Sequence, residues 1–472
     1  MKIWPLILGT SLLAGCVHFQ PQPLAPDRTA AQLEARRLDD AGLQAFISTN
    51  TTPAPETWPP EKWDLNELTL AAFYFHPSLE VARAEWLVAR AGMKTAGARP
   101  NPSVSFTPSY DSQIPGNYSP WLVPVTFDIP IETAGKRSKR MAEAEKAAES
   151  ARWNYVSAVW QIRSGVRSAL LDLGMATRRA ELLQKQFEAQ QQMVKLLQDS
   201  FDAGESSRPE LTTAQIALNR VQLDLSDARS KKSDARSRLA EALGVSEAAL
   251  NGVVLNFRLP PSDLDSLTTA DARSVALRSR ADILAALADY AGAEADLRLE
   301  IAKQYPDLHL GPGYAWNNGN AGDNQWSLGL TLELPILDQN QGPIAEADAR
   351  RKLAAAKFVE LQAKVIGEID RAVAGWKSAK AQMDTAAELQ QAAKNQQKSV
   401  AEQVQAGAAA KMDLAAAEIE FTTTQLSQLD SEAQAQAALG TLEDAVQSPA
   451  DALAAVIAKI SNGTPNAKES HP

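Results

Sequence analysis

The side chains able to hold a soft metal or act as a nucleophile are few and far apart. One cysteine, Cys16, and four histidines, His18, His76, His309 and His471, are scattered through 472 residues. No Cys pair or His-x-x-His cluster gives ligand spacing, so neither a resident metal nor a cofactor is expected. No nucleophile–base arrangement stands out, and Gly311-Pro312-Gly313 is a weak phosphate-loop signal inside an alternating run. The chain therefore reads as something other than an enzyme. The net charge of -10, with acids and bases interleaved, argues against a nucleic-acid partner and leaves cation handling open.

Cys16 is placed for a different chemistry. Lys2 precedes an apolar run from Ile3 to Ala14. That run is too short to span a bilayer and reads as a secretory signal. It ends in Leu13-Ala14-Gly15-Cys16, which resembles a bacterial lipobox. One reading removes residues 1–15 and lipidates Cys16. The other is an ordinary signal peptide followed by an incidental Cys. Val17, rather than Asp, favours the outer membrane, and a lipidated Cys16 leaves no thiol for disulfides.

The elements that must position everything else occur twice. Pro102 opens an alternating run and so does Pro306, a spacing of about 204 residues. Asp128-Ile129-Pro130-Ile131 recurs as Glu333-Leu334-Pro335-Ile336. Strands are predicted at 101–110, 121–131, 307–316 and 325–336, each near the length a tilted membrane strand needs. Apolar residues fall on one side of each, Ser, Thr, Gly, Asp and His on the other. Tyr110, Trp121, Tyr314, Trp316 and Trp326 flank the two connecting loops, which fits one interfacial girdle. The alternative is an amphipathic hairpin packed on a soluble core. No Pro lies between Pro130 and Pro209, or between Pro343 and Pro449. A helix over 136–202 would run on the order of 100 Å. Each copy turns back at a Gly and returns as a second helix.

The two turns match. Gly204, Arg208, Glu210, Leu211, Ala214 and Ile216 recur as Gly407, Lys411, Asp413, Leu414, Ala417 and Ile419. Gly204 and Gly407 are expected at positive φ. Glu210 and Asp413 lie in a first helical turn, where the macrodipole favours carboxylates. Arg208 and Lys411 either pair with these acids or end in solvent.

Four strands leave two open edges, which a bilayer does not tolerate, so other subunits must complete them. At this point the chain resembles the TolC-like outer-membrane efflux channels over about 65–447, most specifically their heavy-metal, CzcC-like branch. The matching motifs are His76-Pro77-Ser78-Leu79, Pro100-Asn101-Pro102, Gly135-Lys136-Arg137 and the run from Leu334 to Gly342. Glu132-Thr133-Ala134 departs from the Glu-Leu-Gly usual there. The resemblance implies a mostly α fold with a small membrane β part. Four strands per subunit would contribute to a homotrimeric 12-strand β-barrel above an α-barrel of long hairpins. It implies a periplasmic adaptor and an inner-membrane proton-driven pump as partners. It also implies that the turns at Gly204, Leu211, Gly407 and Leu414 dock the adaptor, and that Asp413 and Glu210 line a gate; Arg208 and Lys411 hold it shut if they pair with these acids and do not if they end in solvent. A second gate aspartate of the family falls on Ala416 here. Plain helix capping is the competing account of both acids.

The reading is an outer-membrane, lipid-anchored exit duct of a tripartite efflux system, passing heavy-metal cations. A multidrug duct of the same family and a periplasm-spanning structural lipoprotein without a pore are the alternatives. The organisation expected is a signal peptide over 1–15, a lipidated arm over 16–64, repeats over 65–250 and 270–447, a linker over 251–269 and a tail over 448–472.

Overall fold

A computed structural model describes residues 18–51, 57–110, 112–113, 120–259, 268–317, 324–447 and 459. Cys16, the signal segment and nearly all of the tail lie outside them.

The described chain is mostly helical. Helices α1 (Pro26–Glu34) and α2 (Ala41–Asn50) precede the first repeat. That repeat comprises α3 (Leu65–Phe75), α4 (Pro77–Ala96), β1 (Ser103–Phe106), β2 (Ser109–Tyr110), β3 (Trp121–Ile131), α5 (Lys136–Asp202) and α6 (Arg208–Leu243). The second comprises α7 (Thr269–Ser279), α8 (Ala281–Ala302), β4 (Leu308–Asn317), β5 (Asn324–Leu332), α9 (Gln341–Gln405) and α10 (Lys411–Val446). The copies agree in detail: α3 and α7 each have 11 residues, and α6 and α10 each have 36.

Local chemistry sets the breaks. Pro77 pushes His76 to extended backbone (φ -70, ψ 122), which separates α3 from α4. Thr107 and Pro108 divide the strand expected over 101–110 into β1 and β2, because proline has no N–H to give the ladder. The last strand stops at Leu332, short of Pro335, rather than reaching 336. Both long helices end in the same six-residue turn. Gly204 (φ 82) lets Glu205 N–H reach Ser200 O at 2.9 Å, and Gly407 (φ 74) lets Ala408 N–H reach Gln403 O at 2.8 Å.

Packing places α5 at the centre. It lies against α6, α8 and α10, with α3 and α4 beside its first half, while α9 packs on α8 and α10. The main core joins α3, α5 and α6, and a second core joins α7, α9 and α10. The described part of the N-terminal arm is packed onto the body of the chain. Leu38, Leu43, Phe46, Ile47 and Trp63 are buried in the main core. Trp63 N–H also donates to Val254 O at 2.9 Å and Asn256 N–H to Trp63 O at 2.8 Å, so part of the expected linker is paired too. The prolines hid this, because the apolar residues that anchor the arm are single and irregularly spaced.

Candidate functional site: a one-faced sheet and two helical tips

One antiparallel sheet runs in the order β1–β3–β4–β5, with β2 also on β3. Its register sorts side chains by face, since direct cross-strand partners share one. Val104 opposes Phe127, Ile129 opposes Leu310, and Leu310 opposes Leu330. On the other face Ser105 opposes Thr126, His309 opposes Thr331, and Gly313 opposes Ser327. The apolar face is bare: Trp326 is 82% exposed, Leu328 72% and Leu330 67%. Burial against a soluble core, the alternative for these hairpins, is absent among the described residues.

The girdle residues gather at the end of the sheet away from the long helices. Tyr110 and Trp121 meet edge to face at 5.1 Å between ring centres, and Tyr314 and Trp326 meet at 4.8 Å. Trp316 stands opposite Val123 on the same face.

At the helical end the polar face carries charge. His309 Nδ1 lies 2.9 and 3.1 Å from the two Asp128 carboxylate oxygens. His309 and Glu333 border one cavity of about 800 Å³ with Lys136, Asp307 and Asp338. Two joints brace this end. Lys136 donates to Asp307 at 2.8 Å, and Thr133 N–H donates to the same oxygen at 2.8 Å. Burial pushes Asp307 up, but the Lys136 and Thr133 contacts outweigh it and hold the carboxyl below the usual range. Arg140 clamps Glu132, and Asn340 (φ 62) donates to Glu300 O at 2.7 Å, closing the end of α8. Gly135-Lys136 and Asn340, quoted above as family motifs, therefore form the strand-to-helix joints.

The tips hold the other candidates. Glu210 and Asp413 are exposed, Leu211 is buried and Leu414 half-buried. Ser207 N–H donates to Glu210 Oε2 at 2.8 Å, and Ser207 Oγ accepts from Glu210 N–H at 3.5 Å. That pair is a capping box, and its hydrogen bonds hold the Glu210 carboxyl below the usual range. Asp413 accepts from Ala410 N–H at 2.9 Å, but Ala410 has no side-chain acceptor, so the second tip has half a box. Among the described residues no ion pair joins Arg208 or Lys411 to either acid within one chain, and both cations are exposed. The reason is geometric: each acid turns back onto its own helix start.

The sequence reading missed a buried polar seam between α5 and α10. Arg163 and Arg167 converge on Glu443 at 3.4 and 3.3 Å, and Ser164 bonds Asp444. Burial lowers Arg167, and burial raises Asp444 against the pull of Ser164 and both arginines. Two arginines four residues apart, Arg163 and Arg167, were the available signal, but any solvated helix face gives the same pattern.

Among the described residues, no helix is long and apolar enough to cross a membrane. The sequence profile described as Outer membrane efflux protein matches residues 74–245 and 272–446, one range within each repeat. The cobalt-zinc-cadmium resistance protein CzcC of Cupriavidus metallidurans is 25% identical over 224 residues, 47% of this chain and 52% of that protein. The chain spans about half the length of the curated relatives it matches. Among solved structures, the outer membrane protein VceC of Vibrio cholerae superposes with a TM-score of 0.66 at 20% identity, covering 82% of this chain and 97% of that one. CusC gives a TM-score of 0.66 at 17% identity, covering 82% and 94%. The fold is the one these structures share.

Proposed function

This chain belongs to the outer membrane efflux protein family, and we propose that it is the exit duct of a tripartite, proton-driven efflux system for heavy-metal cations. The observation that carries the channel reading is the sheet. It has one bare apolar face, one polar face, and open edges at β1 and β5, mounted on long helical hairpins. Hydrocarbon leaves no ladder edge unsatisfied, so these edges need further copies of the chain. Three copies would supply twelve strands and continue below as a tunnel of long helices. The apolar face would meet lipid, with Tyr110, Trp121, Tyr314, Trp316 and Trp326 at one interface. A scaffold without a pore has no use for such a face.

Metal cations as cargo rest on likeness to CzcC, a protein named for cobalt, zinc and cadmium resistance. The charge pattern is compatible: three Glu210 and three Asp413 around a narrow opening would favour cations over anions. The duct conducts passively, and the pump supplies energy and most of the selection. A periplasmic adaptor would seat on the tips at Gly204, Leu211, Gly407 and Leu414. Cys16, lipidated, would anchor the chain to the outer membrane. The test is a susceptibility panel on a deletion strain, with zinc, cobalt, cadmium, copper and nickel beside dyes and antibiotics. Selective metal sensitivity restored by the intact gene is expected. Sensitivity to organic compounds alone would keep the duct and overturn its cargo. A solubilised particle with the mass of one chain would overturn the barrel.

A further inference from the structure

The two repeats are built alike at one joint and closed by different residues there. In each, a short helix and a longer one meet at a single extended residue: His76 between α3 and α4, Arg280 between α7 and α8. The C-terminal end of the return helix, α6 or α10, arrives beside that residue. In the second repeat the joint closes from within. Arg280 Nη1 donates to Ala445 O at 2.9 Å and to Glu368 at 3.0 Å, while its other nitrogens grip Asp282. Ala281 N–H donates to the Gln447 side chain at 2.9 Å.

The first repeat can make neither set. Position 76 is a histidine without the reach of a guanidinium, and position 77 is a proline without an N–H. Its joint is nonetheless packed more tightly. Gly244 (φ 70) lies so close that a Cβ there would sit 2.8 Å from His76 Cα. That approach leaves the end carbonyls of α3 and α6 side by side, and a cation comes from elsewhere to bridge them. Arg36, between α1 and α2, directs Nη1 to Phe75 O at 2.5 Å and to Gly244 O at 2.8 Å. Its guanidinium also lies 5.7 Å from the centre of the Phe75 ring. Two helix C-terminal ends, each carrying partial negative charge, thus share one cation.

We propose that Arg36 is the first repeat's substitute for Arg280, which makes residues 36–50 a strap that fastens the N-terminal arm to the joint and closes it. Beyond Arg36, Leu38, Leu43, Phe46 and Ile47 bury themselves in the same core, so strap and joint close together. The arm leads back toward the start of the chain. Tension or release there reaches the α3–α4 joint through Arg36 and the apolar side chains buried beside it. Among the described residues the second repeat has no such input.

Hydrogen exchange on the full, detergent-solubilised chain tests this. Arg36→Ala removes two charge-assisted bonds and should speed exchange over Ala41–Asn50 and at the end of α6 by at least about tenfold. Arg36→Lys, which keeps the charge but loses the planar guanidinium beside the Phe75 ring, should fall between Ala and the parent. Arg37→Ala is the control, since Arg37 pairs only with Asp39 on the surface at 2.9 Å, and it should leave both segments unchanged. Arg280→Ala should speed exchange at the end of α10 and leave α2 alone. The proposal is overturned if Arg36→Ala changes α2 by less than about threefold. It is equally overturned if Arg37→Ala speeds exchange as much as Arg36→Ala does.

Discussion

Replacing Glu443 by Ala should open the seam between the repeats more than any other single polar truncation on α10. Its carboxylate is the shared partner of Arg163 and Arg167, at 3.4 and 3.3 Å, and the three side chains are 10%, 3% and 6% exposed. Removing one member of a buried set strands its partners' charge, at a cost of about 3–5 kcal/mol. The lower end applies here, because each guanidinium keeps some support. Arg167 Nη1 still donates to Gln436 O at 3.0 Å, and Arg163 lies 5.3 Å from the centre of the Trp160 ring. A loss of about 3 kcal/mol corresponds to roughly a hundredfold faster exchange for amides of α5 and α10 that open with the seam. Glu432→Ala supplies the contrast. It breaks a pair with Arg178 at 3.1 Å on the same two helices, but that pair is 36% and 58% exposed and should cost no more than about 1 kcal/mol. Equal effects of the two substitutions, or a Glu443→Ala exchange rate within about threefold of the parent, would refute the view that burial sets the strength of this seam.

Four further outcomes are expected. Glu210→Ala with Asp413→Ala should reduce cation preference in a planar bilayer by roughly twofold or more; unchanged currents leave these acids as caps alone. Leu330→Arg, on the bare face of β5, should cost about 2–4 kcal/mol in membrane assembly, read as loss of the folded form in outer-membrane fractions. Ala410→Ser should complete the box at the second tip and slow exchange over the first turn of α10 by about fivefold. The fourth concerns pH. Burial, then Arg36, lower the pKa of His76, while Glu241 opposes them and Glu80 faces Arg36. A depressed folded value means the opened joint binds the proton more readily. Stability is therefore fully present above the ordinary value near 6.5 and lost as pH falls through the folded value. The thermal midpoint should fall on acidification, and His76→Asn, which keeps a cap acceptor, should flatten that dependence.

The duplicated plan was legible because period and composition agreed over long stretches. Alternation in 121–131 survives as β3 without change of bounds, and the proline-free run after Gly135 is one helix. What escaped notice are contacts between residues far apart in the chain. Lys136 with Asp307, Arg163 with Glu443 and Arg36 with Gly244 are separated by 171, 280 and 208 positions. Each charged member alone looks like an ordinary solvated side chain. The anchoring of the arm escaped for a related reason: helix α2 offers only Leu43, Phe46 and Ile47 as buried residues, too few to show what they pack against. The tips were legible as capped turns, because Gly followed by an acid in the first helical turn is a local signal.

A duplicated chain carries its own control, because residues kept in both copies report the fold and residues that differ report a divided task. The joints and the tips differ in a consistent direction. The first repeat has a cation supplied by the arm at its joint and a full capping box at its tip, from Ser207 and Glu210. The second closes its joint from within through Arg280, and its tip has only the Asp413 half of the box. A missing Ser at a helix start costs about 1 kcal/mol, which is several-fold in the population of a frayed first turn. The tip at Gly407 should therefore loosen before the tip at Gly204, while the joint at Arg280 holds. Any opening at the helical end of the tunnel would then begin at the second tip, with the first held by its full cap.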